Sequence, residues 1–248
     1  MRTLARSLTV IGVAAGLFVA GGLMDLPAAS AHPLGNFTVN RYSGIVISPG
    51  RVEVLYVLDM AEIPTFQERT KIDSNGDGVE TGPEREEYAN GEAGGLLRGL
   101  TLTAGGAVVG LRVVDASLRY LPGQAGLSTL RLEAGFSADL PASGSVQYRD
   151  RNFPGRIGWK EITARSEAGV AVTGSTVPVM SVSRELRAYP KDLLSSPLDV
   201  TRADFTFGPG QPSNAVPAPP RGPAWLFPSA QTSLWSSPSE VLLCQVNK

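Results

Sequence analysis

Residues Asp73 to Glu84 read DSNGDGVETGPE. They fit the twelve-position calcium-loop spacing D-x-[DN]-x-[DN]-G-x5-E without a gap. Asp73, Asn75 and Asp77 fall at positions 1, 3 and 5, where side-chain oxygens meet the ion. Gly78 stands at position 6, where the chain must turn sharply. Val79 offers a backbone carbonyl at position 7. Thr81 at position 9 can act directly or through water, and Glu84 at position 12 can supply two oxygens. Calcium is a hard cation that takes roughly 6–8 oxygen ligands, and this spacing supplies them from one short loop. The same residue types also build acidic solvated turns. Position 8 departs from the pattern: an apolar residue there would pair with a second loop, but this chain has Glu80 and no second loop. A single loop of this kind predicts weak binding, with a dissociation constant of roughly 10⁻⁴–10⁻³ M.

Two helices must hold such a loop. A short helical pattern runs from Glu62 to Lys71, and a second is predicted from Pro83 to Leu97. Pro83 suits a first helical turn. Glu84, Glu86 and Glu87 place negative charge at the helix start, where the dipole favours it. Gly91, Gly94 and Gly95 are expected to weaken the later half. The helix–loop–helix, at about residues 62–98, interrupts a succession of strands. Phe37–Ile47 and Arg51–Leu58 flank a Ser-Pro-Gly turn and read as a hairpin. Further strands are predicted at Leu100–Thr103, Val108–Val114, Ala116–Tyr120, Thr129–Ser137, Gly144–Tyr148 and Gly158–Ala164, with a weaker one at Ala168–Thr173. Short strands at this spacing predict a mainly β fold, an antiparallel β-sandwich with an EF-hand-like insertion. The predicted domain spans residues 32–208. From about Pro209 to Lys248 the chain turns Pro- and Ser-rich and reads as a disordered tail, despite Trp225, Phe227 and Trp235.

The N-terminus has the features of a secretory signal over residues 1–31. Arg2 and Arg6 precede an apolar run from Leu8 to Met24, and Ala29-Ser30-Ala31 is a small-residue cleavage site. The mature chain would then begin at His32, in a secreted, extracytoplasmic or cell-surface location where calcium is plentiful. A net charge of −1 without a basic cluster argues against nucleic-acid binding. The one cysteine, Cys244, lies in the tail, so no disulfide can staple the domain. The mature domain has no nucleophile beside a base, no G-x-S-x-G elbow and no phosphate-binding glycine loop, and it reads as a non-enzyme.

Four stretches carry a family resemblance: HPLGNFTVNRYSGI (His32 to Ile45), RVEVLYVLDMAEIPTFQE (Arg51 to Glu68), YRDRNFPGRIGWKEI (Tyr148 to Ile162) and SRELRAYPKDLLSSPLDV (Ser183 to Val200). Over about residues 32–205 the chain resembles the exported N-terminal region of actinobacterial high-affinity nickel/cobalt transporters. The resemblance implies an extracytoplasmic accessory domain joined to a membrane bundle that moves nickel or cobalt. No apolar segment of roughly 20 residues follows Gly208, as a spanning helix requires, so no transmembrane helix is expected in the mature chain. The chain reads as such an outer domain without its bundle, with the look of a truncation.

His32 is the single histidine. As a first residue it would offer an amine and an imidazole nitrogen to nickel or copper, which suit such ligands. Asp59, Glu62 and Asp150 are candidate carboxylate partners. The competing expectation is an exposed, mobile first residue. Trp159 is expected in the core, and Asp150 and Asn152 near Pro154 read as turn residues. Three roles stay open: a calcium-binding accessory domain of a nickel/cobalt transporter-like protein, a stand-alone secreted nickel- or copper-binding protein using His32, and a structural interaction module.

Overall fold

The computed structural model describes residues 32–212. The predicted signal segment, most of the Pro- and Ser-rich tail, Cys244 and the three tail aromatics therefore lie outside the described residues.

Alternation of Val, Ile, Leu and Tyr makes β1 (Val39–Ser48) and β2 (Arg51–Met60) a tight antiparallel hairpin, with Ser48 opposite Arg51. Next come α1 (Glu62–Ile72) and α2 (Gly82–Gly99), followed by β3 (Leu100–Ala104), β4 (Ala107–Val109), β5 (Arg112–Pro122), β6 (Ser128–Asp139), β7 (Gly144–Asp150), β8 (Lys160–Ser166), β9 (Gly169–Thr173) and β10 (Arg202–Gly210). The strands form two five-stranded sheets, ordered β5-β6-β2-β1-β8 and β4-β3-β7-β10-β9. The fold is mainly β, a sandwich carrying a helix–loop–helix insertion.

Three details differ from the sequence expectation. The pairing is antiparallel except between β1 and β8, which run parallel. The two strands expected at Val108–Val114 and Ala116–Tyr120 are divided elsewhere. β4 ends at Val109, and β5 continues through a register shift between Val113 and Asp115. β10 was not expected; Pro209 and Gly210 read as the start of the tail, yet with Gly208 they pair with β9, the edge strand of the second sheet. Pro209 is tolerated because the ladder from β10 to β7 ends at Phe207, which leaves Pro209 paired on one side only.

The two faces of the first sheet have separate tasks. Val52, Val54, Tyr56, Leu58 and Met60 alternate onto one face and meet Leu130, Leu132, Ala134 and Phe136 of β6. This face packs on the second sheet through Leu102, Val146, Phe205 and Phe207, and Ile72, Ala89, Ala93 and Leu96 of the two helices extend the same core. That burial keeps α2 helical through Gly91, Gly94 and Gly95, so tertiary packing overrides weak propensity. The other face holds Tyr42, Leu55 and Val57, with Trp159 and Leu186 above them. A loop from residues 174 to 201 covers it. β1, β2 and β6 are thus buried on both sides.

Candidate functional site

The loop between α1 and α2 is built from its own carboxylates. Asp73 Oδ1 accepts N–H bonds from Gly76 (2.9 Å) and Asp77 (3.2 Å), and Oδ2 accepts from Gly78 (2.8 Å). The Asp77 and Val79 N–H groups donate to Asn75 Oδ1 and Asp77 Oδ1, each at 2.8 Å. The main chain can curl around Asp73 because Gly76 and Gly78 take φ of +74° and +83°, left-handed values that L side chains resist. Glu84 joins the two ends. Its Oε2 accepts from the Thr81 N–H (2.9 Å) and hydroxyl (2.8 Å), and its Oε1 accepts from the Ser74 N–H (3.1 Å). Thr81 in turn accepts from the Glu84 N–H, which completes a capping box at the start of α2 with Pro83 in the first turn. The Thr81 backbone and side-chain hydrogen bonds hold the Glu84 carboxyl down to about 2.

The loop's oxygen donors suit calcium. Asp73, Asn75, Asp77 and Glu84 are hard-oxygen side chains, and carboxylate oxygens keep lone pairs beyond those engaged by N–H groups. The ring they would form is not drawn closed. Among the described residues no three His, Cys, Asp or Glu side chains converge as a metal centre. An ion would have to pull Asp77 and Glu84 toward Asp73.

Glu80, the residue that broke the loop pattern, is tied down from three sides. Its Oε1 accepts from Arg69 Nε of α1 at 2.5 Å, its Oε2 accepts from the Tyr120 hydroxyl of β5, and its carbonyl accepts from Arg85 Nη1 of α2 at 3.0 Å. Its side chain is only 7% exposed, although the loop around it is open to solvent.

His32 lies in a different setting. It is buried, not an exposed first residue. Its Nε2 lies 3.0 Å from Asp59 Oδ2 and 3.1 Å from Asn40 Nδ2, and because the Leu34 N–H donates to Nδ1 we assign the ring proton to Nε2, facing Asp59. Nδ1 then accepts the Leu34 N–H at 3.4 Å and faces the Thr38 hydroxyl at 3.3 Å. Asp59 Oδ2 also accepts from the Tyr189 hydroxyl at 2.7 Å, and burial beside that carboxylate pushes the Tyr189 phenol up. Tyr189 stands edge-on to both His32 and Trp159. Of the three carboxylates considered for His32, only Asp59 joins it. Glu62 instead accepts the Gln124 N–H at 2.8 Å.

Asp150 makes a turn residue's bond, its Oδ1 accepting the Asn152 N–H two positions on at 2.8 Å, and has a second task that the sequence does not announce. It ends β7 and faces inward, where it accepts from Arg41 Nε (2.9 Å) and the Tyr56 hydroxyl (3.2 Å) across the two sheets. Trp159 is fully buried, as expected, and its indole N–H donates to Glu161 at 2.9 Å. Glu161 also accepts the Val182 N–H at 2.7 Å and the Ser183 hydroxyl, which anchors the covering loop. There Arg184, Glu185 and Leu186 take three successive left-handed conformations (φ +50°, +59°, +63°). Each costs about 1–2 kcal/mol in such residues, and Arg131 secures the turn by donating to the Glu185 and Leu186 carbonyls.

Tyr189, Glu161, Arg131 and Tyr120 escaped the sequence reading. Each works with residues tens of positions away, and no local spacing marks them. Glu80 carried a usable signal, a charge where the loop pattern calls for an apolar side chain. Among the described residues no helix is long and apolar enough to cross a membrane. No protein-family model matches the chain, and no curated protein matches it.

Proposed function

We propose that residues 73–84 bind one calcium ion through Asp73, Asn75, Asp77, the Val79 carbonyl, Thr81 and Glu84, and that the ion fixes the angle between α1 and α2. The observation that carries this reading is the position of Glu84. Its carboxylate, at position 12 of the spacing, already reaches back across the loop to the N–H groups of Ser74 and Thr81, at positions 2 and 9. An ion shared with Asp73 would draw it inward. Calcium would supply charge neutralisation and a rigid hub; the chain's part is to hold the oxygens and set the helix directions.

The wider role follows the nickel/cobalt transporter resemblance. We infer an extracytoplasmic accessory domain that acts beside a membrane bundle moving nickel or cobalt. In support, parts of all four resembling stretches meet on the covered face of the first sheet: His32, Asp59, Trp159 with Glu161, and Ser183 with Tyr189. A nickel or copper ion at His32 is the weaker reading, because the imidazole is buried and both ring nitrogens already have partners.

Calorimetric titration of the chain beginning at His32 tests the calcium reading. Binding near roughly 10⁻⁴–10⁻³ M is expected, with loss in Asp73→Ala. No heat at millimolar calcium would exclude the site.

A further inference from the structure

Glu80 stands between two of the candidate ligand positions, Val79 and Thr81, so whatever holds Glu80 holds both. Three elements do so: Arg69 from the last turn of α1, Arg85 from the first turns of α2, and Tyr120 from β5. β5 is the outer strand of its sheet, and α2 packs against it. Burial of the Glu80 side chain in a solvated loop is not a local need. A glutamate in an acidic loop would otherwise turn to water, away from the charges of Asp73, Asp77 and Glu84. Here an arginine and a phenol hold it inward. Burial, and then the hydrogen bond to Glu80, push the Tyr120 phenol up, which keeps its proton available for donation.

We propose that Glu80 is a positioning residue: through Arg69 and Tyr120 it fastens the loop to the sandwich, raises calcium affinity by pre-ordering positions 7 and 9, and carries the loop's occupancy to the edge strand β5. The inference rests on the calcium reading above and gives that site its partner. In a paired arrangement a second loop would steady position 8. In this chain an ion pair and a tyrosine take that place, and ordering that is already complete before binding is not charged against affinity.

The test is a calcium titration of the chain beginning at His32, by calorimetry and by near-ultraviolet difference absorbance. The wild type is compared with Tyr120→Phe, Glu80→Gln and Arg69→Lys, and far-ultraviolet circular dichroism without calcium checks the fold of each. The wild type is expected to bind and to show a calcium-dependent tyrosine signal that Tyr120→Phe removes. Tyr120→Phe and Glu80→Gln are expected to bind about three- to tenfold more weakly, the scale of one hydrogen bond. Arg69→Lys keeps the charge contact and is expected to lose less. If Tyr120→Phe fails to fold, Glu80→Gln and Arg69→Lys decide the matter. Wild-type binding with unchanged affinity in the folded variants overturns the clamp alone. A tyrosine signal that survives Tyr120→Phe overturns the transmission to β5. Absence of wild-type binding overturns the calcium reading and the clamp together.

Discussion

The acidic loop and the covered face of the first sheet are both polar, but they are assembled in opposite ways. Almost every hydrogen bond that shapes the loop joins residues within eleven positions of each other, at exposed or partly buried positions. On the covered face the partners lie 27 and 130 positions apart, as in His32–Asp59, which is buried, and Tyr189–Asp59, which is partly so. Exposed local bonds compete with water and contribute little stability, so the loop can rearrange around a ligand. Buried bonds between distant segments are costly to leave unmade, which locks the N-terminal residues and the covering loop onto the sheet. The difference separates a part suited to respond from a part suited to hold.

Mutations should read out this contrast. The largest effect is expected at Trp159→Ala, which empties the second core and strips a donor from Glu161; a loss of about 3–5 kcal/mol is expected in urea unfolding. His32→Ala removes one of the two side-chain partners of Asp59 and should cost about 1–3 kcal/mol by the same measurement. A negligible change would mean that the covered face does not hold the N-terminal segment. On the loop, Asp73→Ala should abolish the calcium heat, with a far smaller change in unfolding than Trp159→Ala produces. The smallest effect concerns acid. The Glu84 carboxyl is held below its unfolded value, so the stability it contributes is present above about pH 4.5 and is lost as pH falls toward about 2. Thermal melting across that interval should show an acid component that Glu84→Gln abolishes. An identical profile in the variant would show that the loop's ends are not joined by this side chain.

Legibility from the sequence follows the same division. The hairpin, both helices and the twelve-position loop were readable because their signals are short-range: alternation around Ser-Pro-Gly, a proline in a first turn, carboxylates at fixed intervals. The sandwich class followed from the run of short strands. The parallel neighbour of β1 was not readable, because the side-chain period is the same in parallel and antiparallel strands. β10 was hidden by glycines and a proline that the end of a strand paired on one side tolerates. Asp150 reads as a turn residue, and its bond to the Asn152 N–H is of that kind. Only the packing of two sheets reveals Arg41 opposite it.

What the chain's residue order determined unaided was chemistry carried within one turn of backbone: the oxygen-rich loop, its flanking helices and the alternating strands around them. What folding in three dimensions decided was which distant side chains share a dry space. His32 gained Asp59 and Tyr189 there, and Glu80 gained Tyr120, forty positions away. The physical reason is range. Dihedral preference and neighbour spacing act over a few residues, whereas the cost of burying an unpaired polar group is settled only when separate segments meet.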